Sequence, residues 1–267
     1  MTVIGVGEIE LDYERTGAGP PLLLIMGMSG TSLHWGEPFL ELLRRDFDVI
    51  AYDHRGVGAS TRLDGPVTVA QLAEDASALL AALGIESADV LGISMGGMIA
   101  QELTLTHPEQ VRTLTLGCTY CGGPDSRLTS PAVLSRLADA MTSGDRERAL
   151  RTGWEVNVSP AMAADARAYA DFLAIAARRA VAVPVVMAQL QACGAHDTSA
   201  RLHELAAPTL VIHGTEDEML PAENGRLIAR LIPGSQLEIL DGIGHMFFWE
   251  QPERAAELVR EHAAVPA

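Results

Sequence analysis

Apolar and polar positions follow two rhythms along this chain of 267 residues. In the first, short apolar runs alternate with longer amphipathic stretches. Residues 9–15 alternate in polarity and meet Gly17-Ala18-Gly19-Pro20-Pro21, which predicts a strand ending in a turn. Residues 22–25 and 49–52 are unbroken apolar runs, as in strands covered on both faces. A short helix is predicted between them at 39–44. Residues 69–83 place Leu72, Ala76, Leu79, Leu80 and Leu83 at helical spacing and stop at Gly84. A strand through Val90 and Leu91 then leads into a helix at 95–106, which ends before Pro108, and a strand follows at 111–116.

The second rhythm occupies residues 119–205, where only helical patterns occur: 131–141, 146–154, 162–179 and 185–192. After Pro208 the alternation resumes with a strand at 209–212, a helix at 223–231, a strand at 236–240 and a helix at 252–262. Strands alternating with helices predict an α/β fold with a mostly parallel, doubly wound sheet. Residues 1–118 and 206–267 form its core. Residues 119–205 read as a helical cap over the C-terminal ends of the strands, where such sheets bind ligands.

Composition narrows the chemistry. Apolar residues make up 48% and the formal charge is -16 without a long acidic block, which disfavours nucleic acid as a partner. No apolar stretch reaches membrane-spanning length, and the N-terminus lacks the basic start and apolar core of a signal peptide, so a cytoplasmic protein without a membrane partner is expected. All 19 cationic side chains are Arg, so there is no lysine for a Schiff base, for pyridoxal phosphate, for a Ser-Lys pair or for a phosphate-binding loop. Cys118, Cys121 and Cys193 suggest no disulfide framework. The Cys118-x-x-Cys121 pair has no second pair and no histidine at zinc spacing, so no metal is expected.

Ser94 lies in Gly92-Ile93-Ser94-Met95-Gly96, between a predicted strand and a predicted helix. A sharp turn there needs glycine on both flanks to present the serine oxygen outward. A serine hydroxyl needs a base, and a histidine base needs an acceptor to hold its tautomer. His245 follows the last predicted strand in Gly242-Ile243-Gly244-His245; His213, at the end of an earlier strand, competes with it. His34 and His54 read as packing or substrate-proximal loop residues. For the acid, Asp217 follows a core strand, flanked by Glu216 and Glu218, which composition alone does not separate from it. The end of the preceding strand, Leu116-Gly117-Cys118-Thr119, offers no carboxylate. The order Ser94, Asp217, His245 is that of a nucleophile elbow served by an acid and a base further along the chain.

Over nearly its whole length the chain resembles the α/β-hydrolase family. The elbow at Ser94, Asp53-x-Arg55-Gly56-x-Gly58-x-Ser60, His213-Gly214-x-x-Asp217-x-x-x-Pro221, and Gly242-x-Gly244-His245 with Glu250-x-Pro252 match its motifs in order. The resemblance implies Ser94 as nucleophile, His245 as base, Asp217 as orienting acid, and the backbone N–H groups of Met28 and Met95 as oxyanion donors. The family commonly has His-Gly after its third strand, where this chain has Met26-Gly27; a backbone donor survives that change. Relatives with an aspartate nucleophile or a catalytic lysine are excluded.

What remains is a cofactor-free hydrolase of a neutral, moderately hydrophobic small-molecule ester or lactone. Thioesterase, carbon–carbon bond hydrolase, perhydrolase or haloperoxidase, and a non-catalytic receptor are the alternatives. Trp35, Trp154, Phe172, Met187 and Phe247 are expected to line its apolar pocket.

Overall fold

The computed structural model describes residues 2–265. Eight strands form one sheet: β1 (Thr2–Val6), β2 (Ile9–Gly17), β3 (Pro21–Ile25), β4 (Asp48–Tyr52), β5 (Ala88–Ile93), β6 (Val111–Gly117), β7 (Thr209–Gly214) and β8 (Gln236–Leu240). Their order is β1-β2-β4-β3-β5-β6-β7-β8. β1 and β2 form an antiparallel hairpin whose second strand pairs antiparallel with β4, and every other pairing is parallel.

The unbroken apolar runs are explained by burial on both faces. Along β3, Leu23 and Ile25 join one apolar cluster while Leu22 and Leu24 join the other. Helices α2 (Val69–Ala82), α3 (Met95–Thr106) and α9 (Glu223–Leu231) cover the first face through residues such as Leu72, Ile99 and Ile228. Helices α1 (Glu37–Leu43) and α11 (Pro252–Ala263) cover the second through Phe39, Leu43, Leu258 and Val259, with α10 (Phe247–Glu250) beside them. A mostly parallel sheet clad by helices on both faces is the predicted architecture.

Between β6 and β7 the chain makes α4 (Pro131–Thr142), α5 (Arg146–Asn157), α6 (Pro160–Ala163), α7 (Ala166–Arg178) and α8 (Val183–Ala195). The single helix expected at 162–179 is two. Asp165 interrupts it by accepting hydrogen bonds from Arg167 N and Ala168 N, which caps α7 at its start. β1 was not expected: its five residues include a glycine and carry too little alternation to stand out. It forms because the partner strand β2 offers a free edge. No single helix among the described residues is long and apolar enough to cross a membrane; the bent pair α7–α8 passes by length and composition only.

Candidate active site

β5 ends at Ile93 and α3 starts at Met95, so Ser94 alone makes the turn, with φ 56° and ψ -122°. A non-glycine residue holds such a conformation only when its surroundings impose it. Here they do. A Cβ on Gly96 would lie 1.9 Å from Ile25 O, and one on Gly92 would lie 2.2 Å from Gly96 O, so neither flank tolerates a side chain. Ser94 N donates to Gly117 O at 2.9 Å, and Ser94 O accepts from Thr119 Oγ1 at 2.6 Å. The strand before it and most of the helix after it are buried, while Ser94 is half-buried.

The loop after β3 abuts this turn: a Cβ on Gly27 would sit 3.1 Å from Ser94 Cβ. Met28 is half-buried in that loop, and Met95 opens α3, where backbone N–H groups and the helix dipole favour negative charge. Where the resemblance leads one to expect a histidine, Met26 supplies its carbonyl to His54 Nε2 at 2.9 Å. A carbonyl only accepts, so Nε2 carries the proton. Burial pushes His54 below the usual histidine range, which keeps the ring neutral in this role. Asp53 Oδ1 accepts from Ser32 N at 2.6 Å further along the same loop.

Two neighbouring parallel strands, β7 and β8, deliver the remaining groups past their C-terminal ends. His245, after β8, places Nδ1 2.7 Å from Asp217 Oδ2, after β7. The other carboxylate oxygen, Oδ1, accepts from Met219 N at 2.9 Å and Leu220 N at 2.8 Å, which fixes the direction of Oδ2. Glu216 and Glu218 are exposed, and Glu218 pairs with Arg136. Geometry thus separates the three carboxylates that composition left together. No hydrogen bond joins Ser94 to His245 among the described residues.

His213 does not compete for the serine. It is fully buried, with Nε2 2.7 Å from Leu220 O and 3.2 Å from Asp217 Oδ2. Both partners accept, so Nε2 bears the proton and His213 serves as a second donor to Asp217. Burial alone raises the Asp217 carboxyl, but His245 and His213 outweigh it and hold the group well below the usual carboxylate range. Cys118, Asp217 and His245 bring donor atoms within 4.8 Å of one another. The facing atoms of Asp217 and His245 are spent on each other, and burial beside Asp217 holds the Cys118 thiol protonated.

Glu250, in the Glu250-x-Pro252 motif, has a task that its sequence position does not reveal. Its Oε1 accepts from Gly244 N at 2.8 Å, beside His245, and from Ser159 N at 2.9 Å; its Oε2 accepts from Ser159 Oγ. Met246 N donates to Asn157 O at 2.8 Å. The histidine loop is therefore tied to residues 157–159, from the last residue of α5 to the start of α6.

Three of the expected pocket residues are core instead. Trp35 is fully buried against Phe39 and Phe248, with ring centres 6.0 and 4.8 Å away. Phe247 is fully buried on the same face of the sheet, and its ring fills the space beside Gly117. Trp154 is fully buried in a third apolar cluster with Val158 and Tyr169. A side chain with no accessible surface lines no open pocket. Phe172 is half-buried, 5.1 Å from the Trp154 ring and 6.0 Å from His34, which places it above the loop after β3. Met187 is exposed on α8.

Fold and site together define a hydrolase-type α/β protein. The family model of the alpha/beta hydrolase fold matches residues 20–252, and the chain belongs to that family. It is 30% identical to an Azorhizobium caulinodans protein named for carbamate hydrolysis, over 95% of this chain and 94% of the relative. Among solved structures, a hydrolase from Pseudomonas aeruginosa PA01 is 30% identical, with a TM-score of 0.85 over 99% of this chain and 98% of that one. The enol-lactonase from Burkholderia xenovorans LB400 is 25% identical, with a TM-score of 0.85 over 99% of this chain and 100% of its own.

Proposed function

We propose that the protein is a serine hydrolase acting on a neutral, moderately hydrophobic carboxylic ester or lactone. The observation that carries this reading is the 2.7 Å bond from His245 Nδ1 to Asp217 Oδ2, past the ends of β7 and β8, at the same edge of the sheet as the Ser94 turn after β5. With Nδ1 donating to the carboxylate, Nε2 is left unprotonated and free to accept a proton.

Ser94 Oγ attacks the carbonyl carbon while His245 Nε2 takes the hydroxyl proton. Negative charge develops on the carbonyl oxygen, where the N–H groups of Met28 and Met95 stabilise it; one such donor contributes about 3–4 kcal/mol. Collapse breaks the acyl–oxygen bond, and His245 returns the proton to the leaving alkoxide. Water then repeats the sequence on the acyl-serine, releasing the acid and restoring Ser94. In a lactone, alcohol and acid leave as one molecule.

Residues 119–205 act as the cap that selects the acyl and alcohol groups, with Phe172 at its inner side. Relatives named for a carbamate hydrolase and an enol-lactonase support attack on a carbonyl bearing a heteroatom leaving group. A p-nitrophenyl butanoate assay tests the reading. Wild type should turn the ester over and Ser94→Ala should lose at least about 10³-fold in kcat with an unchanged melting curve; retained turnover removes Ser94 from the mechanism.

A further inference from the structure

Two polar struts run from the helices between β6 and β7 to the loop after β3. Arg179, just past α7, bonds Asp53, whose Oδ1 holds Ser32 N. The second strut is more direct. Gln189 of α8 is 1% exposed, and its Oε1 accepts from Ser29 N at 2.9 Å.

The orientation of that side-chain amide is fixed by chemistry. A backbone N–H can only donate, so the carbonyl oxygen must face it. Nε2 then finds no acceptor among the described residues. A buried glutamine with half its polar capacity unpaired is an expensive way to fill space, since an apolar side chain of similar size leaves no donor unpaired. What the glutamine provides is the acceptor. It provides it to Ser29, a non-glycine residue at φ 60°, whose left-handed backbone must be held from outside.

We infer that Gln189 is a positioning residue for the oxyanion hole. By pinning the Ser29 N–H, it fixes the backbone on the C-terminal side of Met28 and so aims the Met28 N–H at the carbonyl oxygen beside Ser94. The inference rests on the proposed role of Ser94. It makes α8 part of the catalytic geometry, so the helices that select substrate also set the donor that stabilises its charge. Oxyanion donors act through direction and distance, so a loosened Met28 loses effect without losing its N–H.

Gln189→Met removes the acceptor at nearly constant volume; Gln189→Glu keeps an acceptor for Ser29. Both are compared with wild type by kcat and KM on p-nitrophenyl butanoate, by the affinity of phenylboronic acid as a tetrahedral adduct, by melting temperature, and by hydrogen exchange of the Ser29 amide. Gln189→Met should lower kcat and boronate affinity together by about tenfold or more, with KM little changed and Ser29 exchange faster. Gln189→Glu should stay within about threefold of wild type. Overturning results are a Gln189→Met kcat within threefold of wild type, whatever the exchange rate, or equal losses in both variants with a matching fall in melting temperature. Should Ser94→Ala keep its activity in the same assay, the nucleophile reading falls first, and unchanged Ser29 exchange in Gln189→Met would reject the strut itself.

Discussion

Asp217 receives four hydrogen-bond donors, two from backbone N–H groups and two from imidazoles. Each favours the ionised form, so the carboxylate remains charged far into the acid range. One consequence concerns the pH profile. Asp217 should add no ionisation to the acid limb of kcat/KM, because its carboxylate stays charged there. The profile of wild type against pH should show one ionisation there; two would mean that Asp217 titrates in the working range. Asp217→Asn keeps the shape but gives His245 the wrong partner for its Nδ1 proton. Its kcat should fall by about 10³–10⁴ while the melting temperature changes far less. Among side chains, the proposed set Ser94, Asp217 and His245 was readable because its members come in a fixed order beside glycines. The duty of Glu250 was not, because its contacts to Gly244 and Ser159 span 6 and 91 residues, and only folding brings those segments together.

At the scale of elements, the turn between β5 and α3 is held by steric necessity. Gly96→Ala would drive a Cβ into Ile25 O and should cost roughly 3 kcal/mol or more, because the obstacle is the backbone of a central strand and has nowhere to move. Urea unfolding measures it, and a change below about 1 kcal/mol would mean that the turn is looser than described. The central strands were legible because burial on both faces writes a solid apolar run. The helices at 131–195 were legible as helices, but their inner and outer faces were not. Trp154, in the helical insertion, and Trp35 and Phe247, near strand ends, look like pocket walls in sequence because large apolar residues at such places serve pockets and cores equally. Only the neighbours they meet in the fold separate the two.

Across the whole molecule, several histidines are buried as neutral rings. Burial lowers His34 to about 4 and His196 to about 4, and pushes His54 and His262 down as well. In the unfolded chain these groups bind protons near the ordinary value of about 6.5. As pH falls below that value the unfolded state takes up protons that the folded state refuses, so stability drops until the folded pKa values are reached. The melting temperature should therefore decline steeply between pH 6.5 and about 4, and His196→Gln should flatten part of that slope. A melting temperature constant over that interval would contradict the buried neutral rings. The charge of -16, with every cation an arginine, bears on solubility and steering more than on the fold.

Ser94 is proposed as the nucleophile of a site assembled by Asp217 and His245. Intact-mass spectrometry after treatment with diisopropyl fluorophosphate, followed by peptide mapping, tests it most directly. One phosphoryl adduct per chain is expected, on Ser94, formed with loss of activity, absent in Ser94→Ala and slowed by at least about 10²-fold in His245→Ala. An adduct on another residue, or labelling that persists in Ser94→Ala, would contradict it.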